Sequence, residues 1–349
     1  MKKKSLSAKK KIHKKLIKYL KNPRINKIYK DFEKSLIVNN NKLNNFSVAL
    51  SGGPDSLALS YLAKCYSILN NSKVFFFHVD HKIRAKSTNE AIKLKFNLEK
   101  IDIKCQILTW KGKKPKSNVQ AIARKNRYKL IFNQILKNNT RNILVAHHLN
   151  DLYENFIIRL TRGSGLNGLV SFNKKITNFN NKALIIRPLI QQDKKNLLFI
   201  ANKVFEGFID DPSNKNTIFK RVRIRNLLKN LKKEGLNEKK LKQTIINLSD
   251  SDNSIKYYIR RNLQLNSNYL KSISGHILSQ DFFDQPHEIV FRSFSIILLK
   301  TSGRYYPSRG KRVNYFLDQI HSKKFQKGTL SGCIIEKVNK SVIIYKENS

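Results

Sequence analysis

The sequence predicts an α/β protein: a doubly wound parallel sheet with helices on both faces over residues 31–215, joined to a smaller, basic, mostly helical domain over 216–349. Three observations carry this. From about residue 46, short apolar runs alternate with helix-like stretches, the rhythm of strands linked by crossover helices. After Asp211-Pro212-Ser213-Asn214, a run of turn formers, the alternation stops. A chain of 349 residues suits about two domains, and its 40% hydrophobic content supplies a sizeable core.

Residues 1–30 contain thirteen Lys or Arg and no acid, which reads as a solvated basic tail or frayed helix, or as an arm that contacts RNA. The apolar runs at 46–50, 74–79, 105–110, 143–146 and 184–189 are short, nearly continuous and rich in Val, Ile, Leu or Phe, as strands buried on both faces are. Between and after them, 55–69, 88–98, 119–136, 151–160 and 194–208 read as helices. Ser87 and Glu90 have the spacing of a capping box for the second helix, and Gly163 can stop the fourth. From about 219 to 275 the chain reads as helical and strongly basic, and 328–347 alternates like short strands about a turn near Asn339. There is no internal repeat.

Lys and Arg number 70 against 23 Asp and Glu, a formal charge of +47. Lys, Asn and Ile are abundant throughout, as in a chain from an AT-rich genome, so part of this charge is codon usage. The remainder favours a polyanionic partner such as nucleic acid. Arginines are less scattered than lysines: nine of the 17 fall in the motif segments described below. Cys65, Cys105 and Cys333 lie far apart with no C-x-x-C pair, which argues against a disulfide framework, a structural zinc site and a cysteine-held cluster. No apolar run approaches the ~18 residues of a membrane span, so the expectation is a cytoplasmic protein with no membrane partner; no protein partner can be inferred.

The strongest local signal is Ser51-Gly52-Gly53-Pro54-Asp55-Ser56, between a buried strand and a helix. Glycines let the backbone turn sharply and approach a ligand closely. The following helix points free N–H groups and its positive dipole end at that ligand, which suits phosphate. The hydroxyls add donors, and Asp55 can hold magnesium. No Gly-Lys-Ser/Thr follows, so this is not a Walker A loop. The plain alternative is an ordinary Gly-Pro turn.

Later segments also fall at strand ends, where doubly wound sheets bind ligands. His78-Val79-Asp80-His81-Lys82-Ile83-Arg84 closes the second strand. Ala123-Arg124-Lys125-Asn126-Arg127-Tyr128 puts Arg124 and Arg127 three apart on a helix, able to grip one anion or to form a solvated basic face. In Ala146-His147-His148-Leu149-Asn150-Asp151-Leu152-Tyr153-Glu154, Asp151 and Glu154 share a helical face near its N-terminus. They can bind magnesium or an ammonium, or simply stabilise the helix dipole. Adjacent His147 and His148 on a strand would face opposite ways, which disfavours a two-histidine metal site. Arg159, Arg162, Gly163-Ser164-Gly165-Leu166-Asn167-Gly168-Leu169 and Arg187-Pro188-Leu189 complete the series.

The phosphate loop resembles that of the N-type ATP pyrophosphatases (PP-loop proteins, adenine nucleotide alpha hydrolase-like). The segments in order resemble the tRNA(Ile)-lysidine synthase family over residues 46 to 226, through S-G-G-x-D-S, H-V-D-H-x-x-R, A-R-x-x-R-Y, A-H-H-x-D-D-Q-x-E-T, R-L-x-R-G-S-G-L-x-G-L, R-P-L and D-P-S-N. The chain departs from the family at Asn150, Leu152 and Asn155, which replace an Asp, a Gln and a Thr. The resemblance implies ATP-dependent ligation of L-lysine to C2 of the wobble cytidine of CAU-anticodon tRNA(Ile), through an adenylylated cytidine, with release of AMP and diphosphate. The product switches codon reading from AUG to AUA. ATP and Mg2+ are the implied cofactors. The implied site has Ser51, Gly52, Gly53, Pro54, Asp55, Ser56 and His78 on ATP, and Asp55 and Asp151 on magnesium. Asp55, Asp151, Glu154 and Arg124 are the catalytic candidates, with Glu154 and Asp151 on metal or the lysine amine. Arg84, Arg127, Arg187, Arg221, Arg223 and Arg225 are expected on substrate or tRNA, the last three as phosphate contacts or as a basic linker. The rivals are a thiolating relative, which would need a cysteine pair, and a non-catalytic RNA-binding protein with a relict loop.

Overall fold

The computed structural model describes residues 6–38, 41–83, 85–112, 119–173, 176–179, 183–208, 216–304, 307–322 and 324–347. Arg84 and the Asp211-Pro212-Ser213-Asn214 turn fall outside them. The chain divides into two compact units, Met1–Gln243 and Thr244–Ser349.

The first unit opens with helices α1 (Leu6–Lys18) and α2 (Pro23–Ser35) and a small hairpin, β1 (Ile37–Val38) and β2 (Asn41–Lys42). The α/β alternation follows: β3 (Asn45–Leu50), α3 (Pro54–Leu69), β4 (Lys73–Asp80), α4 (Ser87–Lys100), β5 (Cys105–Thr109), α5 (Val119–Lys137), β6 (Asn142–Leu144), α6 (Leu149–Leu160), α7 (Leu166–Val170), β7 (Ile176–Phe179), β8 (Ala183–Ile186), α8 (Lys194–Val204) and α9 (Lys220–Lys233). The sheet order is β5-β4-β3-β6-β8-β7. Its first five strands are parallel, and β7 pairs antiparallel with β8. The five sequence-read strands are β3, β4, β5, β6 and β8; β7, whose polar sequence carries no apolar run, is the addition.

Successive strand residues point to opposite faces, and the burial follows that rule. Phe46, Val48, Phe76, Leu144 and Ile186 join one core with residues of α1, α2, α3, α4 and α8. Phe77, Val79, Ile143, Val145 and Ile185 join a second with Tyr128, Ile131 and Ile135 of α5. Both faces are covered, hence the nearly unbroken apolar runs.

Two local expectations change. Ser87 is the first helical residue of α4, after Lys86, and caps nothing through its side chain, so the Ser87/Glu90 box does not form. The N-terminal basic stretch is not a solvated tail over its described part. Leu16 and Leu20 are buried, Tyr61 Oη donates to the Leu16 carbonyl at 3.2 Å, and α1 packs on α3. The lysine count hid the apolar edge Ile12, Leu16 and Leu20, spaced by four on one face of the chain's first helical turns.

Helix α10 (Glu238–Asn266) carries the chain into the second unit, with β9 (Ser267–Leu270), β10 (Gly275–Leu278), α11 (Gln280–Phe283), α12 (His287–Ser302), α13 (Gly310–His321), β11 (Lys327–Leu330), β12 (Cys333–Val338) and β13 (Ser341–Lys346). Its antiparallel sheet, ordered β11-β12-β13-β10-β9, packs with α12 and α13 around Phe282, Phe294, Leu298, Val313, Cys333 and Ile344. Fully buried Asp252 of α10 accepts Arg292 Nη1 of α12 at 2.7 Å and pairs with Lys256, so its charge is matched in place. The compact boundary falls after α9 rather than at 215, which leaves the basic α9 with the first unit. From Thr244 onward there are sixteen Lys or Arg and eight Asp or Glu, against 54 and 15 before it. Most of the excess charge therefore belongs to the α/β unit.

Candidate active site

The carboxyl ends of β3, β4, β6 and β8 bring the sequence-read motifs together. After β3 the backbone turns at Gly52, whose φ of +90° is a left-handed conformation that favours glycine. Gly53 is the N-cap of α3 and Pro54 its first residue, where a missing N–H costs nothing. Ser56 holds the loop shut: its Oγ accepts from the Gly52 N–H at 3.1 Å and donates to the Gly53 carbonyl at 2.9 Å, and Ser51 Oγ donates to it at 3.2 Å. The serines thus build the loop as well as offering donors to a ligand.

Asp55, in the first turn of α3, meets the start of α6. His148 Nε2 lies 3.4 Å from Asp55 Oδ2 and 3.6 Å from Asp151 Oδ2, so two carboxylates converge on one imidazole nitrogen. Asp151 Oδ2 also accepts the His148 backbone N–H at 3.1 Å, the helix-start contact expected of an acid that stabilises the dipole. Burial alone would lower the His148 pKa; the bond to Asp55 and the charges of Asp151 and Asp55 outweigh it and hold the pKa above its ordinary value. Asp55 Oδ1 is buried without a hydrogen-bond partner among the described residues.

Helix α9 closes over α6. Arg221 Nη1 stands 3.7 Å from Asp151 Oδ1. Arg225 donates from Nε to Glu154 Oε1 at 2.6 Å and from Nη2 to Oε2 at 3.5 Å. Arg221 and Arg225 are four apart and face α6 together; Arg223 points elsewhere, donating to the Thr217 and Ile218 carbonyls at 2.9 and 2.7 Å. The arginines expected on RNA phosphates thus make contacts within the protein while staying open to solvent: Arg223 is exposed, and Arg221 and Arg225 have 38% and 33% of their side chains exposed. Glu154, expected on metal or amine, is buried and held by Arg225.

A third group is cationic. Arg187 is buried with its guanidinium 5.1 Å from the Phe172 ring centroid, and Arg124 lies 5.3 Å from that of Tyr128. Burial, then repulsion from Arg124, lowers the pKa values of both Arg127 and Arg187. Arg127 borders His78 and His81 instead; burial and this charge push His81 down to about 4. Buried His78 is lowered mainly by burial, and its Nδ1 donates to the Leu50 carbonyl at 3.1 Å, tying β4 to the end of β3. Asp80 accepts the Lys82 N–H at 3.0 Å and the Thr88 hydroxyl at 2.8 Å. His147 turns away from His148 to the Phe172 ring, 4.9 Å between centroids, and is pushed down to about 3 by burial and by Arg187, Arg124 and Arg221. The two histidines do not form a metal pair. Guanidiniums crowded this way reduce their mutual repulsion when an anion enters.

His148 and Phe172 were not singled out from the sequence as site residues. His148 could have been: it follows a buried strand at the same carboxyl end as the phosphate loop. Phe172 carries no sequence signal. For magnesium, no group of three His, Cys, Asp or Glu side chains arranged as ligands occurs among the described residues. Asp55, with its orphaned oxygen, and Asp151 nevertheless fit an ion that takes one or two carboxylates and draws its other ligands from water and phosphate.

A family model described as a PP-loop domain matches residues 22–232. Among curated proteins, the tRNA(Ile)-lysidine synthase of Orientia tsutsugamushi (strain Boryong) is 30% identical over 86% of this chain and 69% of its own length. That of Wolbachia pipientis wMel is 31% identical over 88% and 71%, and that of Rickettsia typhi 30% over 92% and 74%. Among solved structures, the U34-tRNA thiolase NcsA from Methanococcus maripaludis aligns with a TM-score of 0.52 at 20% identity, covering 64% of this chain and 77% of that one. That likeness speaks for the fold alone.

Proposed function

The chain belongs to the tRNA(Ile)-lysidine synthase family, with its PP-loop domain over residues 22–232, and we propose that it carries out ATP-dependent lysidine formation on tRNA(Ile) with free L-lysine as the amine donor. The observation that carries the assignment of roles is the convergence of Asp55 and Asp151 on His148 Nε2 at the mouth of the phosphate loop.

Cytidine O2 is a poor leaving group. In the first step it attacks the α-phosphorus of ATP, and diphosphate departs. In the second, the lysine amine adds to C2 and AMP leaves with O2. The Gly52–Gly53 turn and the first turn of α3 offer N–H groups to the phosphates. Arg124, Arg127 and Arg187 meet the anionic charge of nucleotide or amino acid. A magnesium ion held by Asp55 and Asp151 would stabilise charge on the departing diphosphate. The amine is nucleophilic only when deprotonated, so an acid of this cluster that stands beside it takes the proton. Glu154 could take the lysine ammonium only if Arg225 left it, so we assign Glu154 and Arg225 to holding α6 and α9 together. Asn150 stands where the family has an Asp, so this chain supplies one carboxylate fewer at this point, while Asp55, Asp151 and Glu154 are retained.

Cys65, Cys105 and Cys333 are buried, and burial pushes the Cys65 and Cys105 thiols up to about 12. Such thiols stay protonated and do not serve as sulfur carriers, which supports ligation over thiolation. No helix among the described residues is long and apolar enough to cross a membrane, and the reading puts the protein in the cytoplasm with the tRNA pool. The test is Asp55→Asn and Asp151→Asn, each expected to lower AMP release at least ~100-fold with tRNA affinity within twofold of wild type. Normal turnover in either variant would remove these roles.

A further inference from the structure

Helix α1 lies before residue 22, where the family's domain begins, and none of the chemistry above uses it. It is nevertheless fixed to the α/β unit. Its apolar edge is buried: Leu16 is 1% exposed, and Tyr19, in the turn just after the helix, packs edge-on against Tyr61 at 6.3 Å. A polar anchor adds to this, with His13 Nε2 and Lys64 Nζ reaching Asp102 Oδ2 at 2.8 and 2.9 Å. The opposite face presents Lys10, Lys11, Lys14 and Lys18, all exposed and without ion pairs among the described residues. No acid occurs before Asp31 to neutralise them.

Four like charges fixed on one exposed helix face repel one another by roughly a few tenths of a kcal/mol per pair in water, and together they form a positive patch that attracts a polyanion. We propose that α1 is a docked phosphate-binding ridge that holds the backbone of the substrate RNA outside the reacting site; this rests on the reading that the substrate is a tRNA. Lys10, Lys14 and Lys18 follow one another at about 6 Å along the helix axis, a row suited to a polyanion rather than to one small anion. An anionic membrane is the weaker match, because an interfacial helix needs a free apolar face and α1 has spent its own on the core.

The ridge acts on binding and not on chemistry. Asp102 precedes β5, at the amino ends of the strands, whereas the phosphate loop and His148 stand at the carboxyl ends. Lys64 is ten residues, ~15 Å, along α3 from Pro54. The body of a tRNA extends far beyond its wobble nucleotide, so remote phosphates can meet this remote face.

The experiment replaces Lys10, Lys11, Lys14 and Lys18 together by Gln, leaving Leu16, Leu20 and His13 in place, with a fourfold Lys→Arg variant as the charge-preserving control. Affinity for the CAU-anticodon tRNA and for an unrelated tRNA is measured over a salt series, with lysidine formation at saturating tRNA measured beside it. Each lost phosphate contact flattens the log–log salt slope by roughly 0.7 to 0.9, so the Gln variant should lose about three units if all four lysines engage. The loss should be the same on both tRNAs, the Arg variant should keep the slope, and saturating turnover should stay within twofold. An unchanged slope in a folded Gln variant overturns the ridge. So does an unchanged tRNA slope with lost binding to phosphatidylserine vesicles, which would point to a membrane instead. A wild-type protein that binds tRNA with this slope but makes no lysidine would refute the assigned reaction and leave the ridge standing.

Discussion

Arg225 grips both oxygens of Glu154, at 2.6 and 3.5 Å, across 71 residues of sequence. Glu154 is 3% exposed, so its charge is tolerable there only with that partner. The pair joins α9 to α6, the helix that also delivers Asp151 to the phosphate loop.

Replacing Arg225 by Ala should therefore strand a buried carboxylate. A fully buried pair broken in this way costs about 3 to 5 kcal/mol; with a third of the Arg225 side chain exposed, about 2 to 3 kcal/mol is expected. Adding Glu154→Gln should recover part of the loss, because the stranded charge is gone. Urea unfolding of the two variants checks this. Equal stability in wild type and Arg225→Ala would make the pair incidental.

This pair also marks where the sequence stops being informative. The strand-loop-helix units, the phosphate loop and the acids of α6 were legible because each is local: an apolar run, a glycine turn, a spacing of three. Arg225 and Arg221 were visible as a basic cluster, but nothing local indicates that they face two particular acids some seventy residues earlier. Basic residues look alike whether they meet phosphate or carboxylate. His148 was legible by position and discounted as half of a metal pair, whereas it stands alone between Asp55 and Asp151. The docking of α1 was masked for a similar reason: Leu16 and Leu20 are two residues among many lysines, and the core they enter, with Tyr61 on the Leu16 carbonyl, belongs to elements distant in sequence.

If α1 is part of the core, Leu16→Ala should cost about 2 to 5 kcal/mol through lost burial and the cavity left behind. A solvated tail would tolerate the change with no measurable effect. Thermal unfolding of the purified variant separates the two, and deletion of residues 2–21 should destabilise in the same direction.

The Asp102 anchor gives a pH signature. Burial opposes ionisation of this carboxyl, but the hydrogen bonds and charges of Lys64 and His13 prevail and hold its pKa below the ordinary value. A depressed folded pKa means that the stabilisation is complete above the unfolded value, near 3.9, and is lost as the pH falls through the folded one. Amide exchange of α1 should thus be faster in Asp102→Asn than in wild type at pH 7, relative to each protein's intrinsic rates. The difference should shrink in acid. A gap that persists unchanged below pH ~3 would mean that Asp102 acts by packing alone.

The most direct measurement combines the purified protein with ATP, isotopically labelled L-lysine and CAU-anticodon tRNA(Ile), then digests the tRNA to nucleosides. The label is expected in a single modified cytidine at the wobble position, with one AMP released per lysine incorporated and no need for a sulfur donor. AMP release without label in the tRNA, or modification that proceeds without lysine, would contradict the account.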